Sequence, residues 1–248
     1  ILGSGGAASF GNGVGSGSMT LKGLELSADA DIEFDGIDLT TSGGAALVVG
    51  TLTGTSGFGV DIDLTADISA GNVLVADDRY NRLLIDAGIV DQNLSGYSGI
   101  LSETRSAIKN DSGNTVAHGV WSGRWNIDES GLSVKAGLSE VQLADASGSG
   151  LVLDATGAAG SDAELKAIIT DWVGEDGKQV AGVLTVAGTG AVTISNTANA
   201  YQGKTNVLAG STLIVTGTLG QTSLLNNAGS VQIGATGKSA DVWVGGLS

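Results

Sequence analysis

The 248-residue chain contains no cysteine and no proline. Without cysteine there is no disulfide, no thiol nucleophile and no thiolate metal ligand. Without proline the chain is neither collagen-like nor mucin-like. It also departs from the ordinary loop-rich globule, where proline presets turns; average composition would supply about 12 prolines at this length. Aromatics are sparse, and there is a single histidine. Basic residues are scarce, with 11 Lys and Arg against 26 Asp and Glu and a net charge of -15. Such acidity disfavours nucleic acid and anionic lipid, both of which recruit clusters of Lys and Arg. The imbalance is uneven: residues 1–176 hold 25 acids and 8 bases, whereas residues 177–248 hold Asp241 against Lys178, Lys204 and Lys238. No apolar run approaches the ~18–20 residues of a membrane helix, so this segment is expected not to insert directly into a membrane. No charged start leads into a long apolar stretch, and a targeting segment is expected only upstream of Ile1, if the protein is exported.

What is present is glycine, 42 residues of it, with 42% hydrophobic and only 15% charged residues. That hydrophobic share argues against disorder. Apolar and polar residues alternate in short runs: Leu24-Glu25-Leu26, Ile32-Glu33-Phe34, Val60-Asp61-Ile62-Asp63-Leu64, Ser133-Val134-Lys135, Val141-Gln142-Leu143, Val192-Thr193-Ile194 and Val231-Gln232-Ile233. Period two places the apolar side chains on one face of a strand. Gly, Ser, Asn or Asp bound each run. Ala-Gly pairs precede strands at Ala187-Gly188, Ala209-Gly210 and Ala228-Gly229, and upstream at Ala70-Gly71 and Ala136-Gly137. Their spacing is imperfect, with insertions, but centres on roughly 20 residues, the period of a short solenoid repeat. Strands this short cannot bury a face alone, but stacked in parallel, coil upon coil, they can. Proline would break such a ladder, which gives its absence a mechanism. Asn196, Asn199, Asn206, Asn226 and Asn227 are expected to form side-chain ladders at equivalent corners.

The expected fold is therefore all-β, a parallel β-helix (solenoid) with coils of about 20 residues. Residues 1–20 read as a Gly/Ser-rich start or a first coil. Residues 21–248 read as the solenoid, with an irregular excursion at 77–118, where the repeat weakens and three of the four arginines gather. Asp162 to Ile169 reads either as a short helix or as a strand plus corner.

Signals for chemistry are weak. His118 lacks a convincing Ser and Asp, and Asn110-Asp111-Ser112-Gly113-Asn114 reads as an exposed loop with an Asx-type turn. Asp29 with Asp31, and Asp61 with Asp63, each share a strand face; a solvated outer face explains them, with weak Ca²⁺ binding or acid–base chemistry as lesser readings. Gly203-Lys204-Thr205 and Gly237-Lys238-Ser239 fail as phosphate loops, because Ala198 and Gln232 stand where glycine is required. Trp121 and Trp125 share one face of an extended segment and read as core. The residues expected to bind a partner are Arg79, Tyr80, Arg82, Tyr97 and Arg105, types enriched at interface hot spots and set in the irregular stretch. The competing reading is that the tyrosines pack the excursion and the arginines pair with nearby Asp77, Asp78 and Asp86. No catalytic residue, metal ligand or cofactor is expected.

Asn199-Ala200-Tyr201-Gln202-Gly203-Lys204-Thr205, followed by Ala209-Gly210-Ser211-Thr212-Leu213, resembles the autotransporter-associated β-strand repeat. Lys204 and Ser211 are mild departures, and the likeness covers only the stretch from Thr193 to Val215. The resemblance implies a passenger domain of a Gram-negative, type V secretion autotransporter of the adhesin type. It implies a right-handed β-helix on the bacterial cell surface, tethered to the outer membrane or secreted, with a membrane β-barrel downstream. The function expected is non-enzymatic attachment: self-association, biofilm formation or binding of a host surface protein or glycan. The alternatives are a structural stalk whose binding head lies upstream, or a carbohydrate-active β-helix enzyme.

Overall fold

The computed structural model describes residues 6–11, 19–37, 44–64, 68–75, 80–156, 163–220 and 224–234. The first nine strands are β1 (Ala7–Gly11), β2 (Met19–Leu21), β3 (Leu24–Leu26), β4 (Asp31–Ile37), β5 (Leu47–Gly54), β6 (Gly59–Leu64), β7 (Ile68–Ser69), β8 (Tyr80–Val90) and β9 (Ser98–Ile100). Next come β10 (Thr104–Lys109), β11 (Thr115–Asp128), β12 (Gly131–Leu143), β13 (Leu151–Asp154), β14 (Ala163–Leu165) and β15 (Ile168–Asp171). The last six are β16 (Leu184–Ala187), β17 (Ala191–Ile194), β18 (Lys204–Val207), β19 (Thr212–Val215), β20 (Leu224–Asn227) and β21 (Ser230–Ile233). A 3-10 turn at Ala70–Val75 is the one helical element among the described residues, and no helix there is long and apolar enough to cross a membrane. The protein is all-β, and several of its sheets are parallel.

The chain forms two compact units. The first comprises residues 1–66, 78–105 and 121–137. Its chain passes alternately between two parallel ladders, β1-β4-β6 and the pairing of β2 and β3 with β5 and then β8. On β4 the alternation of the sequence is realised directly: Ile32, Phe34 and Ile37 are buried while Asp31, Glu33 and Asp35 face solvent. Phe10 pairs with Phe34 in register, their ring centres 5.9 Å apart, and Phe34 pairs with Ile62 on the other side. Stacking like on like in this way gives short strands a shared core that none could bury alone. β8 then changes the rule, running parallel to β5 and antiparallel to β12. The segment 77–118 thus holds β8, β9, β10 and the start of β11, and the repeat signal fades there because antiparallel pairs have their own spacing. The hairpin from β11 to β12 closes through Asp128, whose carboxylate accepts the Ser130 amide at 2.8 Å.

The second unit comprises residues 67–77, 106–120 and 138–248; the long strands β11 and β12 contribute to both. Here the chain alternates between the parallel sheets β13-β16-β18-β20 and β14-β17-β19-β21. Leu184 pairs with Thr205, and Thr205 in turn with Leu225. Val192 pairs with Leu213, and Leu213 with Val231. From β16 onward the chain returns to the same sheet after about 20 residues, as the Ala-Gly spacing predicts, whereas the first returns, Leu151 to Leu184 and Ala163 to Val192, are longer and include β15, which pairs with β12 instead. Leu151, Leu153, Leu184, Val186, Val192, Ile194, Leu213 and Val215 are all fully buried. The 3-10 turn packs on β13 and β14 with Val73 and Leu74 buried, closing the first strands of both sheets.

Two Ala-Gly pairs depart from expectation. Ala136-Gly137 lies inside the continuous strand β12, since an antiparallel partner carries it past the corner that the dipeptide marks elsewhere. Ala70-Gly71 opens the 3-10 turn rather than a strand. Residues 163–171 form two strands with a corner at Lys166-Ala167, and no helix.

The repeat-like residues each have a structural task in this second unit. Tyr201 is fully buried and its hydroxyl meets Thr205 Oγ1 at 2.7 Å. Asn199 clamps three segments: its Oδ1 accepts the Ile169 amide at 2.8 Å, and its Nδ2 donates to the carbonyls of Asn196 and Thr218 at 3.0 and 2.7 Å. Gly203 sits where a Cβ would lie 1.7 Å from the Gly182 carbonyl oxygen. Of the expected asparagine ladder, Asn206 and Asn226 do bond each other, at 2.8 Å, but from within β18 and β20 rather than at corners. Asn196 reaches back to the Lys166 carbonyl, and Asn227 makes a local turn to the Gly229 amide.

Candidate binding surface

The residues expected to bind a partner separate on folding. Arg79 and the side chain of Tyr80 lie outside the described residues. Arg82, on β8, is buried and its Nη2 donates to the Gly44 carbonyl at 3.4 Å. Tyr97 follows the turn after β8. Its hydroxyl donates to the Phe58 carbonyl at 3.2 Å and accepts the Gly57 amide at 3.0 Å. Its ring lies edge-on to Phe58 and to Trp125, with centres 4.9 and 5.3 Å away. Arg105 is exposed on β10. Arg82 and Tyr97 therefore brace the first unit, and Arg105 alone of the described members stands in solvent.

The remaining candidates fall as follows. Trp121 and Trp125 are both buried in β11, as expected of core. His118 stacks on Trp172, ring centres 3.9 Å apart. Asn110 accepts the amides of Ser112 and Asn114, forming the Asx-type turn between β10 and β11. Thr205, at the end of Gly203-Lys204-Thr205, is buried against Tyr201, so that segment is structural.

Carboxylates are drawn together in two ways. Asp31, Glu33 and Asp61 line an open depression of about 490 Å³ with Ser102; Asp29 is set apart at a corner with φ 61°, and the Asp63 side chain lies outside the described residues. Among the described residues no group of three or more His, Cys, Asp or Glu is placed to hold a metal ion. In the second unit, buried Asp171 organises a corner, accepting Gln179 Nε2 and the Gln202 amide at 2.9 Å each and the Gly182 amide at 3.3 Å. Burial raises the Tyr201 phenol above its usual value of 10, with the Thr205 hydrogen bond opposing and the nearby Asp171 charge adding. Asp154 is held below the ordinary carboxylate range by the Thr156 hydroxyl and amide, and Asp176 by Lys178.

A different feature gathers hydrogen-bond donors. β9 runs antiparallel to β11 with Ile100 opposite Arg124, and the Leu101 amide bonds the Gly123 carbonyl at 3.0 Å. With β12 alongside, Ile100, Ser122, Gly123, Arg124 and Lys135 line a concavity of about 590 Å³. Ile100 is 87% exposed at its rim, and Arg124 and Lys135 are also exposed. Sequence reasoning missed this pair: Arg124 and Lys135 are well apart in the chain, and only the hairpin register brings them to one site. The signal that could have found it was the turn-forming Asp128-Glu129-Ser130-Gly131 between two alternating runs. No protein-family model matches the chain, and no match was found among curated proteins or solved structures.

Proposed function

We propose that the chain is a non-enzymatic attachment module, a right-handed parallel β-solenoid displayed at a bacterial cell surface as an autotransporter passenger of the adhesin type. The observation that carries this reading is the alternation of the second unit, from β16 to β21, between two parallel sheets, with the Asn199, Tyr201, Gly203 and Thr205 residues of the repeat-like segment set within it. Stacked coils of this kind make regular faces suited to contact rather than to turnover. The acidic, polar outer positions keep such faces soluble and offer hydrogen-bonding strips. In a full-length protein a membrane β-barrel follows the passenger and tethers it to the outer membrane, or the passenger is released. The partner is another cell bearing the same chain or a host surface protein or glycan.

The test sets attachment against turnover. Cells displaying the chain should aggregate or adhere more than cells without it, and the purified chain should release no new ends from acidic or neutral polysaccharides. Polysaccharide cleavage abolished by Asp31→Ala/Asp61→Ala would place the protein among carbohydrate-active enzymes instead.

A further inference from the structure

We propose that the concavity between β9, β11 and β12 binds a sugar unit bearing a single carboxylate. The inference rests on the attachment reading and gives it a ligand. Three observations carry it. The first is donor chemistry: Arg124 brings a planar fork of N–H groups, Lys135 an ammonium and Ser122 a hydroxyl, all in one concavity of about 590 Å³. A guanidinium beside an ammonium is a carboxylate receptor, and charge-assisted bonds to it are the strong ones. The volume falls within the range of small-molecule sites.

The second observation is the shape of the lining. Gly123, which has no side chain, is among the residues that line the concavity. Ile100 stands at the rim with almost all of its surface in water. Bare backbone beside an apolar rim accommodates the C–H face of a pyranose, while ring and hydroxyl oxygens accept from the donors.

The third observation is the surroundings. Residues 1–176 hold 25 acids and 8 bases, and the first unit displays Asp31, Glu33, Asp35 and Asp61 on strand faces. A dense polyanion gains two cations here but meets like charge over the rest of its length. A ligand with one carboxylate takes the attraction and escapes most of the repulsion.

The experiment is a titration of the whole chain, followed by NMR or calorimetry, with glucuronic acid, glucose, a sulfated dextran and a capped glutamate peptide. Glucuronic acid should bind at least tenfold more tightly than glucose. Arg124→Gln and Lys135→Gln should each weaken it about tenfold, with Arg124→Lys intermediate, and Ile100→Ala should weaken it less. These side chains are exposed, so unchanged circular dichroism is expected and serves as the folding control. Equal affinity for glucose and glucuronic acid, insensitivity to Arg124→Gln, or tighter binding of the peptide or sulfated dextran would each overturn the proposal. A chain that binds no glucuronic acid yet still attaches to cells would lose this site while keeping its attachment role. A chain that binds glucuronic acid but attaches to nothing would lose the attachment role while keeping the site.

Discussion

Two glycines that look alike in the sequence, Gly203 and Gly210, do different things. A Cβ at Gly203 would meet the Gly182 carbonyl at 1.7 Å, whereas at Gly210 nothing lies within 4 Å and only the φ of 83° is demanding. Gly203→Ala should therefore force the segments at Gly182 and Gly203 apart and cost at least about 3 kcal/mol, at the upper end of overpacking effects. Gly210→Ala should cost about 1–2 kcal/mol, the left-handed penalty alone. Chemical denaturation of the two variants side by side checks the contrast, and equal losses would contradict it. The residues that proved legible in the sequence were of this kind. Asn199, Tyr201, Gly203 and Thr205 form a recognisable pattern because each answers a local geometric demand: a clamp, a plug, a close approach and a hydroxyl partner. Arg124 and Lys135 answer no such demand, and so left no pattern to read.

At the scale of strands, period-two alternation was the reliable signal. Each of the alternating runs named above lies in a strand, and most bury their apolar face; Val231-Gln232-Ile233 pairs with β19 but leaves Ile233 half exposed. Direction was harder to read, since alternation is the same for parallel and antiparallel partners. The stretch from β8 to β12 shows the consequence: Ser133-Val134-Lys135 and Val141-Gln142-Leu143 look like two short strands of successive coils, yet they belong to one long β12. Ladder continuity also makes a specific prediction. Thr193 lies in the middle of β17, between β14 and β19. Thr193→Pro removes an amide from an interior strand and should cost about 3 kcal/mol or more. The loss should appear as a lower denaturation midpoint, together with faster amide exchange in β14 and β19. Retention of wild-type exchange in those neighbours would contradict the pairing. An excision of 77–118 is a poorer probe, because it removes β8 together with its pairing to β5 and β12.

For the molecule as a whole, pH and surface behaviour follow from what is buried and what is displayed. The Tyr201 phenol is raised in the folded state by burial. A raised value favours the neutral form, so its contribution to stability is complete below the unfolded value near 10 and is lost as pH climbs above it. Unfolding monitored by fluorescence should therefore show a stability that falls above pH 10, and Tyr201→Phe should remove much of that alkaline loss at a neutral-pH cost of about 1 kcal/mol. An unchanged alkaline profile in Tyr201→Phe would contradict this assignment. The wider account is that regular stacked strands present a surface for attachment. Its most direct test is competition: bacteria or host cells are offered to surfaces coated with the chain while soluble chain is titrated in. The expected result is saturable attachment to the coated surface, blocked in a dose-dependent way by folded soluble chain and not by the same chain unfolded beforehand. Attachment no greater than to an uncoated surface, or blocked equally by the unfolded chain, would contradict it.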